Sequence, residues 1–155
     1  MKKIAALIIL ISIISGCLKS NDSKPCMPAS PASEAPQLTD FCNTNGIAYT
    51  KDSNGIFYQI IDPGSGITPS LESEISVTYT SSFLNDYILD SRTTMPVTNL
   101  LSEFIEGWQL AIPYIQKGGH IKMVLPSSLC FGCSGTPSVP PNSPLYYDLV
   151  LVDVQ

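Results

Sequence analysis

Glu74-Ile75-Ser76-Val77-Thr78-Tyr79-Thr80-Ser81-Ser82-Phe83 is the stretch that decides the fold. Ile75, Val77, Tyr79 and Ser81 fall on one side of an extended chain, and Ser76, Thr78, Thr80 and Ser82 on the other, a period of two that a helix cannot use. One greasy and one hydroxylated face describe a strand of an antiparallel sheet covered on one side. The alternation returns in residues 120–125, where Ile121, Met123 and Leu125 share a side, and residues 145–154 form a long apolar run after Pro144. Residues 56–61 are rich in strand formers and stop at the turn signal Asp62-Pro63-Gly64. Four strands are predicted, with room for five or six.

Between these strands a single stretch has helical spacing. Phe104, Ile105, Trp108 and Ile112 stand at i, i+1, i+4 and i+8, so one face of a short helix would press on the sheet, and Pro113 should end or kink it. One helix against an antiparallel sheet is an α+β arrangement.

The N-terminal third reads differently. Met1-Lys2-Lys3 precedes an almost unbroken apolar run over residues 4–14, followed by Ser15-Gly16-Cys17. That is the pattern of a secretory signal, with a run too short for the ~20 residues of a membrane span. Ile14-Ser15-Gly16-Cys17 resembles a bacterial lipobox, which implies cleavage before Cys17 and lipid on its thiol, and several acyl chains hold a protein to a membrane more firmly than one. Leu18, where an Asp would favour inner-membrane retention, points to outer-membrane attachment facing the periplasm. Residues 18–36 alternate Ser with Pro25, Pro28, Pro31 and Pro36 and read as a semi-extended tether. Residues 37–45 fit a short helix with Leu38, Phe41 and Cys42 on one side and Gly46 as its stop, placed ahead of the main fold. The expected divisions are a signal over 1–16, a tether over 17–36, a helical preface over 37–50 and one domain over 51–155.

Composition narrows the function. The 155 residues carry 13 Asp+Glu against 8 Lys+Arg, a formal charge of −5. With no basic cluster to displace counterions, nucleic acid is not an expected partner. At 44% apolar and 14% charged the chain is expected to fold, and its length leaves room for one core.

Covalent chemistry finds little support. The single His, His120, has no G-x-S-x-G or comparable motif and reads as a strand residue on the solvated face, paired with an acid of the last strand. No metal-ligand set is spaced for tetrahedral coordination, so no metal or cofactor is expected. The carboxylate pairs Asp86 with Asp90 and Glu103 with Glu106 are of a kind that arises by chance. Gly64-Ser65-Gly66 and Gly118-Gly119 read as turns. After Cys17 four cysteines remain, Cys26, Cys42, Cys130 and Cys133, with three ways to pair; Cys130 and Cys133 have C-x-x-C spacing but sit in a Gly/Ser/Pro loop rather than at a helix start.

Five pieces in order carry a resemblance over residues 55–155: Val77-Thr78-Tyr79-Thr80, Leu89-Asp90-Ser91, Phe104-Ile105-Glu106-Gly107-Trp108, the strand from Lys122 with Phe131-Gly132, and Val139-Pro140-Pro141-Asn142-Ser143-Pro144-Leu145. Together they resemble an FKBP-type peptidyl-prolyl cis-trans isomerase, of the kind found among bacterial lipoproteins. The resemblance implies a curved antiparallel sheet wrapped over one short helix, activity on X–Pro bonds of exported polypeptides and no cofactor. It also implies a site. Trp108 would floor a proline pocket, Tyr79, Phe104 and Tyr147 would wall it, and Ile105 would line it and offer a backbone N–H to a substrate carbonyl. Asp90 would sit at the rim, bonded to Tyr79, with Leu89 on a further wall and Val139 capping one edge.

Two positions depart from the family pattern. Leu89 stands where an aromatic ring is usual, and Phe131 where a Tyr hydroxyl donates to substrate. The stretch between Asp90 and Phe104 is also short, leaving Met95 and Val97 as stand-ins for an aromatic wall. A weakly catalytic peptide-binding module with the same pocket is the alternative that these departures raise. A monomer is expected, since the pattern holds no dimerisation helix.

Overall fold

The computed structural model describes residues 25–155; the predicted signal, Cys17 and the first part of the tether lie outside the described residues. Six strands form one antiparallel sheet: β1 (Thr50–Lys51), β2 (Phe57–Asp62), β3 (Glu74–Phe83), β4 (Ile88–Leu100), β5 (His120–Leu125) and β6 (Leu145–Val154). Their order is β1-β2-β5-β6-β3-β4, so the last strand of the chain is threaded between β5 and β3. Ile75 pairs with Val154 at one end of the β3–β6 ladder and Phe83 with Leu145 at the other. That central position accounts for the long apolar run of β6, which has neighbours on both edges.

Alternation sorts the side chains between two faces. Ile75, Val77, Ile121, Met123, Leu125, Leu145, Tyr147 and Leu149 belong to the main core with Trp108, Ala111 and Ile112. The helix over them, α2 (Glu106–Ala111), is shorter than the spacing predicted: Phe104 and Ile105 precede it in extended form, and Ile112–Tyr114 continues as a 3-10 turn. Pro113 has no N–H for an α-helical bond, so the tighter turn begins there. A Cβ on Gly107 would lie 2.5 Å from a methyl carbon of Leu125, so glycine is what lets α2 rest directly on β5.

The opposite face is also covered, a departure from the one-sided expectation. Helix α1 (Pro31–Thr44) lays Leu38, Phe41 and Cys42 against Ile47, Phe57 and Val124 in a second, smaller core. The preface therefore packs on the sheet rather than ahead of it. The helix also begins inside the stretch read as tether. Ser30 caps it, its Oγ accepting from the Ser33 N–H at 3.2 Å, and Pro31 takes the first turn, where a missing N–H costs nothing. Pro36 does remove an internal bond, yet it lies on the exposed side while Glu34, Leu38, Phe41 and Cys42 are buried. Burial of that face outweighs a propensity cost of ~3 kcal/mol.

Glu34 is 4% exposed and holds the start of α1 to the segment after β5. Its two carboxylate oxygens accept from the Ser127 hydroxyl at 2.6 Å and the Ser127 N–H at 2.8 Å. Close by in sequence, Cys26 is disulfide-bonded to Cys133, leaving Cys42 and Cys130 as thiols. Of the pairings open to the sequence, this one joins the N-terminal segment to the loop following β5. His120 sits beside Asp148 of β6, an acid of the last strand as expected, reached diagonally because the register sets His120 opposite Val150 and Lys122 opposite Asp148.

Candidate active site

The pocket is built from three sources. The strand β3 contributes Tyr79 and Ser81, and the start of β4 contributes Leu89 and Asp90, brought opposite by the pairing of Ser81 with Asp90. Phe104, Ile105 and Trp108 come from the approach to α2 and its first turn, and Tyr147 comes from β6. The loop after β5 closes the ring with Phe131, Thr136, Ser138 and Val139. The open hollow has a volume of about 450 Å³.

Its floor is an aromatic box. The Trp108 ring, 4% exposed, meets Tyr79 edge-on at 5.0 Å and Tyr147 edge-on at 5.3 Å, with Phe104 tilted at 5.1 Å. Edge-to-face contacts of this kind lock ring orientation and add to the gain from burial. The indole Nε1 is buried with no hydrogen-bond partner among the described residues. An unpaired buried donor costs on the order of 1–3 kcal/mol, a polar group held inside a greasy wall.

The polar groups gather at the edge. Tyr79 donates its O–H to Asp90 Oδ2 at 2.7 Å. Burial first, and then this bond, raise the Tyr79 pKa from 10.0 to about 12. The same bond, helped by the Ser91 N–H and by Arg92, holds the Asp90 carboxyl below the usual carboxylate range. Arg92 lies 3.4 Å from Asp90, but both side chains are well exposed, so that pair adds little stability. Burial drives the Tyr147 hydroxyl above the ordinary phenol range. Ile105 is the N-cap of α2: its carbonyl accepts from the N–H groups of Trp108 and Gln109, while its own N–H makes no hydrogen bond among the described residues.

The loop is held by its own bonds and by the disulfide. Thr136 and Val139 exchange backbone bonds of 2.8 and 3.2 Å, and Thr136 Oγ1 accepts from the N–H groups of Ser138 and Val139. Gly135, at φ +62°, would place a Cβ 2.3 Å from the Val139 carbonyl oxygen, so only glycine fits that corner. Cys133 lies between Phe131 and this corner, tied to Cys26. Burial raises the Cys130 thiol pKa well above its ordinary value, the reverse of an activated C-x-x-C.

All nine pocket side chains named from the sequence line this hollow: Tyr79, Leu89, Asp90, Phe104, Ile105, Trp108, Phe131, Val139 and Tyr147. Met95 and Val97 do not. Val77 pairs with Val97 but Tyr79 with Arg92, so residues 93–96 of β4 oppose Thr78 alone. The surplus bulges outward, leaving Met95 73% exposed, while Val97 packs on the core beneath. Ser81, Thr136 and Ser138 were missed. Ser81 was findable, since it follows Tyr79 by two on the same face of a strand; the two loop residues carried no periodic signal.

A model of the family described as FKBP-type peptidyl-prolyl cis-trans isomerase matches residues 66–152. The chain is 35% identical over 105 residues to the FKBP-type peptidyl-prolyl cis-trans isomerase FkpA of Escherichia coli K12, covering 66% of this chain and 39% of that protein. It is 31% identical over 106 residues to the peptidyl-prolyl cis-trans isomerase Mip of Coxiella burnetii, covering 66% and 46%. The chain thus spans less than half the length of these curated relatives. The crystal structure of Escherichia coli FkpA superposes with a TM-score of 0.72 at 30% identity, over 81% of this chain and 61% of that one. A peptidyl-prolyl cis-trans isomerase from Pseudomonas syringae shares the fold, with a TM-score of 0.69 at 23% identity, over 83% and 98%.

Proposed function

The chain belongs to the FKBP-type peptidyl-prolyl cis-trans isomerase family, and from that premise we propose that it catalyses cis-trans isomerisation of X–Pro bonds in proline-containing polypeptides. The observation that carries the proposal is the aromatic hollow over Trp108, open enough to admit a proline ring and edged by a few fixed polar groups. Resonance keeps a peptide bond planar behind a barrier of ~18–20 kcal/mol, and an X–Pro bond left to itself turns over in ~10–100 s. The planar amide is the charge-separated form. A dry, shaped cavity disfavours it and holds the twisted amide by contact, so rotation speeds up with no bond made or broken. Each ~1.4 kcal/mol gained is a factor of ten in rate.

In this reading Trp108 carries the proline ring, and Tyr79, Phe104 and Tyr147 hold it from the sides. The free Ile105 N–H takes the substrate carbonyl. Asp90, kept ionised and oriented by Tyr79, faces the turning amide at the rim. Leu89 and Phe131 supply apolar surface, and Val139 closes one edge. The test is cis-to-trans conversion of a proline tetrapeptide by wild type and by Trp108→Ala, with folding checked by circular dichroism. A fall in kcat/KM of at least tenfold is expected; equal rates at the uncatalysed level in both proteins would remove the proposal.

We further propose that the protein works in the bacterial envelope, lipid-anchored through Cys17 after removal of residues 1–16, in the outer membrane facing the periplasm, as a monomer that binds no nucleic acid. The basic start, the apolar run and the small residues before Cys17 support export. The Cys26–Cys133 disulfide suits an oxidising compartment. With α1 beginning at Pro31, the spacer between lipid and fold is shorter than 17–36, ending near Ser30. Cys17→Ser should release the protein from membranes on fractionation, and its continued recovery there would overturn the anchor.

A further inference from the structure

A second hollow, of about 760 Å³, is larger than the proline pocket and is lined in part by residues next to the pocket's own in the chain. Three segments wall it: α1 through Asp40 and Phe41, the β3–β4 hairpin over residues 83–87, and the loop over residues 140–144. The two linings share no residue but come close along the chain at two places. Val139 caps the pocket and Pro140 walls the second hollow; Leu89 and Asp90 line the pocket and Tyr87 lines the hollow. Those two walls are where a polypeptide seated in the pocket would pass to the groove.

Its chemistry is one-sided. The charged side chains lining it are Asp40 and Asp86, with no Lys or Arg among its residues. Neither carboxylate makes a hydrogen bond or ion pair among the described residues, and both residues are exposed. Asp86 stands at the hairpin tip with φ +65°, a left-handed position. Beside it Tyr87 is 68% exposed, its ring 6.2 Å from that of Phe83. Aromatic faces next to unpaired carboxylates suit a long basic side chain, whose stem lies on the rings while its charge meets the acids. The Gln37 amide and the Asn85 Nδ2 can bond an extended backbone, while Asn85 Oδ1 already accepts from the Tyr87 N–H. The α1 wall lies outside the matched family segment of residues 66–152, while the hairpin and the loop lie within it.

We propose that the groove is a second subsite for the same client polypeptide, taking the stretch that flanks the proline and selecting Lys or Arg in it. This rests on the isomerase reading, and the experiment keeps the two apart. Affinity is measured by fluorescence anisotropy for labelled twelve-residue peptides with one central proline, carrying two Lys or two Glu on either side. Turnover is measured separately on a tetrapeptide too short to leave the pocket. Exposed charge pairs are each worth a factor of about 1.4 to 5 in affinity, so wild type should bind one Lys peptide severalfold more tightly than its Glu counterpart. The preference should shrink as salt is raised to roughly 0.5 M. Asp40→Asn with Asp86→Asn should abolish it while leaving tetrapeptide turnover unchanged; Asn suits the left-handed position at 86, so the hairpin is kept. Equal affinities in wild type, as when this chain's own residues or a second copy fill the groove, would overturn the subsite, and so would a preference that survives the double substitution. Loss of tetrapeptide turnover in wild type would instead remove the isomerase reading.

Discussion

The two faces of the sheet are covered by helices of opposite character. On one face α2, six residues long, presses Trp108 toward Tyr147 and Tyr79, and the rings leave a hollow between them. On the other, α1, fourteen residues long, fills its site with Leu38, Phe41 and Cys42, and its hollow lies at the margin. Around Trp108 the rings stand edge-on and leave a hollow between them, whereas under α1 the Phe41 ring lies against Tyr146 and Leu38 and Cys42 fill the space beside it. The short helix therefore makes a cavity and the long one makes a seal. The seal also reaches the cavity: the Glu34–Ser127 bonds and the Cys26–Cys133 bridge both grip the segment that leads to Phe131 and Val139.

Truncating the seal is the strongest way to separate the faces. Leu38 is fully buried, and Leu38→Ala should cost about 2–5 kcal/mol of stability by leaving a void under α1. Thermal unfolding measures the loss, while tetrapeptide kcat/KM well below the melting point should stay within about twofold of wild type. A collapse of turnover in a still-folded variant would mean that the faces are not independent. A smaller effect is expected at the latch. Glu34→Gln keeps the shape but turns a charge-assisted acceptor pair into a weaker amide, costing roughly 1–3 kcal/mol. Because Ser127 stands at the root of the pocket loop, KM for the tetrapeptide should rise more than kcat falls, and an unchanged KM would confine α1 to stability.

The finest probe is the pocket rim. Tyr79 keeps its proton up to a pKa of about 12, so its bond to Asp90 is fully present below pH 10 and is lost as pH climbs through 12. Asp90 has the opposite sign: its depressed pKa contributes stability above the ordinary carboxylate range, near pH 4, and loses it as pH falls through the lower native value. The rim should be constant from about pH 5 to pH 9. In Tyr79→Phe the Asp90 carboxyl should titrate closer to its ordinary range, read by carbon NMR, and kcat/KM should drop roughly fivefold, the worth of one hydrogen bond of ~1 kcal/mol. An unmoved Asp90 titration would assign its depression to Ser91 and Arg92 instead.

Much of the pocket was legible because its members stand in the ordered pieces that resemble the family, and local periods place several of them. Tyr79 is set by the two-residue alternation of β3, Tyr147 by β6, and Phe104, Ile105 and Trp108 by helical spacing, even though α2 itself proved shorter. Met95 failed for a reason no local period carries: the three-residue surplus in β4 exists only relative to β3, and it turned an expected wall outward. The Ser/Pro run misled in the same way. Pro31 and Pro36 read as spacer until the apolar and acidic residues between and after them found a sheet face and Ser127 to bury against.

What the residue order determined alone was therefore whatever a chain knows from its near neighbours: strand alternation, the greasy side of each helix, turn positions, an acidic surface and an N-terminal export pattern. Assembly decided the rest. Which face α1 covers, which two of four cysteines meet, how far β4 overshoots β3 and that Asp40 faces the same groove as Asp86 all depend on groups tens of residues apart. Such pairs are chosen by burial and by complementary bonds once the sheet has formed.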